Sequence, residues 1–108
     1  MAEKVIALAC AAVMSTSLLV TKMQQAAKEA GKDYEIFAKS VAEIDNMLVG
    51  SGTNKPDVLL LGPQVAYMKA EAIKKAAAAG VPCDVIKMQD YGMMNGKNVV
   101  AAAEALMR

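Results

Sequence analysis

Val5-Ile6-Ala7-Leu8-Ala9-Cys10 decides the fold. An apolar run with no polar alternation belongs to a strand covered on both faces, as in a parallel sheet sandwiched between helices. The chain then crosses Cys10 to Ser15, read as a short loop, into a helix predicted over about 16–30. There Leu19, Met23, Ala26, Ala27 and Ala30 share one face, and Lys22, Gln25, Lys28 and Glu29 lie mostly away from it. Gly31 stands where a helix C-terminus wants a left-handed residue. The same apolar run fits a secretory signal poorly. It is too short to span a bilayer, Ser15-Thr16-Ser17 interrupts it, and Glu3 sits beside Lys4 where net positive charge is needed.

Downstream the same grammar repeats. Tyr34 to Lys39 alternates in polarity and reads as an edge strand. Ser40-Val41-Ala42-Glu43 has capping-box spacing and predicts a short helix, and Gly50 to Pro56 is a polar, linker-like turn. Val58-Leu59-Leu60-Leu61 is a second buried strand. Gly62-Pro63 ends it and opens a helix that is expected to run to about Ala79 and stop at Gly80. Cys83 to Met88 is expected to be the fourth strand, Gln89 to Gly96 a loop, and Lys97 to Met107 a terminal helix. Four β-α units with short connections give the α/β class: a small four-stranded parallel sheet with helices on both faces, doubly wound and flavodoxin-like. A single domain is expected over residues 1–108.

Composition removes several functions. Hydrophobic residues make up 56% of the 108 residues, which excludes disorder. Twelve Lys plus Arg against eleven Asp plus Glu leave a net charge of +1, with no basic excess to displace counterions from nucleic acid. Histidine is absent, and with it Ser-His or Cys-His catalysis and most zinc sites. Neither a metal nor a cofactor is expected. Two cysteines, Cys10 and Cys83, are too few for a disulfide scaffold and fit a reduced, cytoplasmic chain that is not itself inserted in a membrane.

Right-handed crossovers put the C-terminal ends of all strands on one side, the default ligand site of such a sheet. Three loops converge there: Cys10 to Ser17, Gly62 to Tyr67 and Gln89 to Gly96. Cys10 closes the first strand directly before a helix N-terminus, where unpaired N–H groups and the helix dipole stabilise negative charge. Hydroxyls of Ser15, Thr16 and Ser17 lie at the same place, and no carboxylate occurs between Glu3 and Glu29. The placement is equally that of a small core thiol followed by a capping hydroxyl. Cys83, expected at the opposite end of the sheet, reads as a buried structural thiol beyond disulfide reach of Cys10. A low-molecular-weight cysteine phosphatase carries an Arg six positions after its Cys to clamp phosphoryl oxygens, and here that position is Thr16. Such a loop suits holding a phosphoryl group for another acceptor better than giving it to water. A cysteine phosphatase or arsenate-reductase-like enzyme, and a non-catalytic flavodoxin-like binding module, remain as alternatives.

Cys10-Ala11-Ala12-Val13-Met14-Ser15-Thr16-Ser17-Leu18-Leu19 resembles the active-site loop C-x-x-G-M-S-T-S-L-L of the enzyme IIB components of the lactose/cellobiose (chitobiose) family of sugar phosphotransferase systems. Leu60-Leu61-Gly62-Pro63-Gln64-Val65-Ala66-Tyr67 resembles that family's L-G-P-Q-x-x-Y signature, and Asp90-Tyr91-Gly92-Met93-Met94-Asn95-Gly96 its third loop. The resemblance implies a phosphocarrier. Cys10 would accept a phosphoryl group from a phosphohistidine on the IIA component and donate it to a β-disaccharide held by the membrane IIC component. Backbone N–H groups of Ala11, Ala12, Val13, Met14, Ser15, Thr16 and Ser17, with the three hydroxyls, would cradle the phosphoryl oxygens. Gln64, Tyr67, Tyr91 and Met93 would form the rim or partner surface. A sulfur reached by two partners in turn is expected to face solvent. Met93 and Met94 are expected to pack onto the terminal helix, with exposed docking methionines as the other reading. Val13 departs from the family glycine, which predicts altered backbone angles or weaker transfer if that position needs a positive φ.

Overall fold

The computed structural model describes residues 4–11, 13–49 and 55–107, with the side chains of residues 13–15, 47 and 49 outside that description. Ala12 and positions 50–54 of the linker-like stretch therefore lie outside the described residues. Four strands, β1 (Lys4–Cys10), β2 (Tyr34–Ser40), β3 (Val58–Leu61) and β4 (Cys83–Val85), form one parallel sheet in the order β2-β1-β3-β4. Helix α1 spans Val13–Glu29, α2 Ile44–Val49, α3 Lys69–Ala78, α4 Met88–Gly92 and α5 Gly96–Met107.

The unbroken apolar reading of β1 is explained by its two neighbours in the layers. Ile6 and Leu8 pack with Leu19, Met23 and Ala27 of α1 and Val99 and Ala103 of α5. Ala7 and Ala9 pack with Ile44 and Leu48 of α2 and Ala72 and Ala76 of α3. Residue parity thus sends alternate side chains into two separate cores, so neither parity can be polar. From Val5 to Cys10 every residue is buried.

Several boundaries differ from the sequence reading. Helix α1 begins at Val13, three residues before the expected Thr16. Its end is as read: Gly31 adopts φ 74°, Gly31 N–H donates to Lys28 at 3.0 Å and Lys32 N–H to Ala27 at 2.9 Å, which closes the last turn. The Ser40 hydroxyl accepts from Ala42 N–H at 3.3 Å and opens a single 3₁₀ turn, Val41–Glu43, ahead of α2. Pro63 likewise starts a 3₁₀ segment, Pro63–Met68, interrupted at Val65 (φ −115°, ψ 25°), so regular helix waits until Lys69. The fourth strand stops at Val85 rather than Met88, which instead opens α4 (Met88–Gly92), and α4 takes up the first part of the expected loop over Gln89–Gly96.

The brevity of β4 suits an edge. In its parallel pairing Ile86 N–H turns inward to the Leu61 carbonyl at 2.8 Å, which leaves Val85 N–H on the outer side. Asp84 Oδ1 accepts that N–H at 2.8 Å and also meets Lys69 Nζ at 3.6 Å. A carboxylate on the outer amide blunts the edge against pairing with another strand.

Candidate active site at the C-terminal end of the sheet

Cys10 is the last residue of β1, in register with Ser40 of β2. Its thiol donates toward the Lys39 carbonyl oxygen across a long 3.9 Å. On the β3 side it meets Gly62, whose N–H bonds the Ala9 carbonyl at 2.9 Å. A Cβ at Gly62 would lie 3.4 Å from Cys10 Cβ and 2.7 Å from Gln64 Oε1. The backbone at Gly62 thus lies in close contact with Cys10, and the Gln64 carboxamide, the movable end of a flexible side chain, folds back over that glycine.

Contrary to expectation, Cys10 does not face solvent. It is 1% exposed. The physical reason is its register: it is still a paired residue of β1, opposite Ser40 of β2 and against Gly62 after β3, rather than on a loop that leaves the sheet. Cys83 sits in register with Leu59 and through it with Ala7, so it is level with the middle of β1 and two strands away. Both thiols are free. Cys83 is half-buried, and burial first, with Asp84 second, pushes its thiol up to about 11.

The hydroxyls of the first loop also behave differently from their reading. Thr16 is wholly buried, and its Oγ1 shares a hydrogen bond with Tyr91 Oη at 3.2 Å. Thr16 and Tyr91 thus face each other inside the protein, and Tyr91 is part of the core rather than the rim. Ser17 is exposed on α1. Val13 opens α1, and Met94 (φ 52°) is the one non-glycine with positive φ among the described residues, so the backbone strain feared at Val13 is not found. Ala11 is exposed at the turn, Ala12 lies outside the described residues, and of Val13, Met14 and Ser15 only the helical backbone is described.

The rim is apolar. Tyr67 is 82% exposed and Met93 71%, while Met94 packs inward against the core, so the two methionines divide the two readings between them. Gln64 is exposed. Leu18 and Met88, which were not singled out in the sequence, are 53% and 75% exposed. Leu18 was legible: it is a large apolar residue off the face that carries Leu19 and Met23. Leu18 lies on α1, which follows β1, Tyr67 on the 3₁₀ segment after β3, and Met88 and Met93 in the connection from β4 to α5. Among the described residues no three His, Cys, Asp or Glu side chains gather to hold a metal.

A short parallel sheet with a cysteine at the end of its first strand, and an apolar rim on the next two connections, defines a cysteine-bearing α/β protein of the doubly wound class. Residues 5–102 match the family described as the lactose/cellobiose-specific IIB subunit of the phosphotransferase system, and the chain belongs to that family. It is 78% identical over 107 residues to the galactose-specific EIIB component of Lactococcus lactis subsp. cremoris (strain MG1363), covering 99% of both chains. Against the cellobiose-specific EIIB component of Lactococcus lactis subsp. lactis (strain IL1403) the identity is 77%, again with 99% of each chain covered. The solution structure of a cellobiose-specific IIB component from Borrelia burgdorferi superposes with TM-score 0.76 at 31% identity, covering 96% of this chain and 91% of that one. A lactose-specific IIB domain from Streptococcus pneumoniae shares the fold (TM-score 0.81, 16% identity, 98% and 99% covered). The four-stranded parallel α/β architecture read from the sequence is that of these IIB domains. Among the described residues no helix is long and apolar enough to cross a membrane.

Proposed function

We propose that this IIB subunit is a cytoplasmic phosphocarrier and that Cys10 is its acceptor. In the first step the Cys10 sulfur attacks phosphorus of a phosphohistidine on a IIA component. The P–N bond breaks, an S–P bond forms, and the thiol proton leaves to solvent or to the released imidazole. In the second, a sugar hydroxyl held by a membrane IIC component attacks. An O–P bond forms, the S–P bond breaks and the hydroxyl loses its proton. The single observation that carries the reading is the address of Cys10, at the end of a central strand, against Gly62 and ahead of the N-terminus of α1.

Free N–H groups of the first turn of α1, with that of exposed Ala11, are the natural cradle for phosphoryl oxygens. No Arg stands at Thr16 to hasten attack by water, so the group is kept for its acceptor. Leu18, Gln64, Tyr67, Met88 and Met93 offer a surface for both partners in turn. Because Cys10 is covered, docking of a partner has to uncover the sulfur before in-line attack. The two lactococcal relatives are named for galactose and for cellobiose, and the acceptor class proposed for this chain is a β-disaccharide of the lactose, cellobiose or chitobiose type.

The test is intact-mass and peptide mass spectrometry after incubation with phosphorylated IIA component. One phosphoryl group on Cys10, absent in Cys10→Ser, supports the carrier role. An unmodified Cys10 beside a donor that phosphorylates the lactococcal relative overturns it. Val13→Gly run in parallel reads the cost of valine, expected to be small because Val13 already starts a helix.

A further inference from the structure

Two contacts tie the segment from α4 to the start of α5 onto α1. At one, Gly96 lies on the α1 backbone: a Cβ there would stand 2.5 Å from the Lys22 carbonyl oxygen and 2.6 Å from the Met23 nitrogen. At the other, Tyr91 Oη meets Thr16 Oγ1 at 3.2 Å in the buried interior. The two points are about two helical turns apart along α1. One point leaves a helix free to tilt, whereas two fix its direction. The connection between them is itself held: Met94 N–H donates to Tyr91 at 3.1 Å, Asn95 N–H to Asp90 at 2.9 Å, and Met94 takes the left-handed conformation.

We propose that Tyr91 is a positioning residue for phosphoryl transfer, acting through Thr16 to hold the first turn of α1, which follows Cys10 in the chain. The inference rests on the phosphocarrier reading. The Gly96 contact sets where α1 crosses α5, about two turns beyond Thr16. The Thr16 hydroxyl is the closer point, within the same first turns whose N–H groups stand beside the end of β1. Loss of the Tyr91 hydroxyl keeps the ring in the core and frees the turn, so the N–H groups no longer sit in one arrangement when the phosphoryl group arrives. A rigid cradle lowers the cost of organising these donors in the transition state, and that effect falls on the rate rather than on docking.

The experiment measures the transfer rate at saturating phosphorylated IIA component and the KM for that donor, in wild type, Tyr91→Phe, Thr16→Val, Thr16→Ser and the double variant Tyr91→Phe/Thr16→Val. Tyr91→Phe and Thr16→Val are each expected to lower kcat about ten-fold with KM unchanged, and the double variant no further than either alone. Thr16→Ser, which keeps a hydroxyl, is expected within about two-fold of wild type. Amide chemical shifts of residues 13–17 should move in Tyr91→Phe while those of 99–106 in α5 stay, a signature that needs no donor. Wild-type kcat in Tyr91→Phe overturns the proposal, as do multiplicative losses in the double variant. So does a Val99→Ala control that loses as much rate for the same drop in Tm. An unphosphorylated wild type instead overturns the phosphocarrier reading itself.

Discussion

Cys10 and Cys83 are the same side chain in two regions of one sheet. Cys10 ends a central strand, pairs with β2, is buried and lies against Gly62. Cys83 begins a three-residue edge strand, half-buried beside Asp84, and is pushed up to about 11 by burial and by that carboxylate. The difference teaches that, if Cys10 is the phosphoryl acceptor as proposed, exposure alone does not select the thiol. The more exposed cysteine, Cys83, has its thiol pushed up by burial and by Asp84, while the more buried one precedes the N-terminus of a helix, where an added negative group finds N–H donors.

The largest expected effect breaks the comparison outright. Cys10→Ser should abolish phosphoryl labelling, and Cys83→Ser should leave its stoichiometry unchanged, both read by mass spectrometry. Label surviving in Cys10→Ser would reverse the assignment of the two thiols. Next comes Gly62→Ala on the Cys10 side. The new methyl meets the movable end of Gln64 rather than backbone, so the stability cost should stay below about 1 kcal/mol by urea denaturation. The methyl also stands 3.4 Å from Cys10 Cβ and displaces the carboxamide over Gly62, and transfer should fall about ten-fold.

On the other side, Asp84→Asn removes the second cause of the Cys83 shift and leaves the first, burial. The thiol should then titrate between its ordinary 9.0 and about 11, as seen in the pH dependence of iodoacetamide reaction in a Cys10→Ser background. No downward movement would mean that the carboxylate is not felt. The smallest effect is on stability. The folded thiol is held above its ordinary 9.0, so its contribution is full below about pH 9 and is lost as pH rises toward 11. Across that window wild type should lose stability relative to Cys83→Ala, by an amount kept small by solvent around a half-buried group.

Most of the architecture was legible because burial on both faces leaves a plain trace. Val5–Ala9 and Val58–Leu61 have no polar position, and the two cores they feed are the reason. Gly31 and Gly80 marked helix ends where positive φ is required, 74° and 76°. The start of α1 was misread because a Thr hydroxyl serves a cap and a distant partner equally well. Thr16 found Tyr91, 75 residues on. The short α4 carried too few residues to show a period, and Tyr91 read as rim because an aromatic on a polar loop gives no sign of which way it turns.

The sequence by itself determined the alternation of strands and helices, the place of Cys10 at the end of β1 and the family, since each is written in local pattern or in contiguous residues. Only the tertiary structure decided that Cys10 is covered, that Gly62 lies against it with the Gln64 carboxamide over that glycine, and that Thr16 and Tyr91 meet in the interior. Those facts depend on strand register and on contacts between residues far apart in the chain. Hydrophobic periodicity fixes which face a residue occupies, not which distant group it touches there.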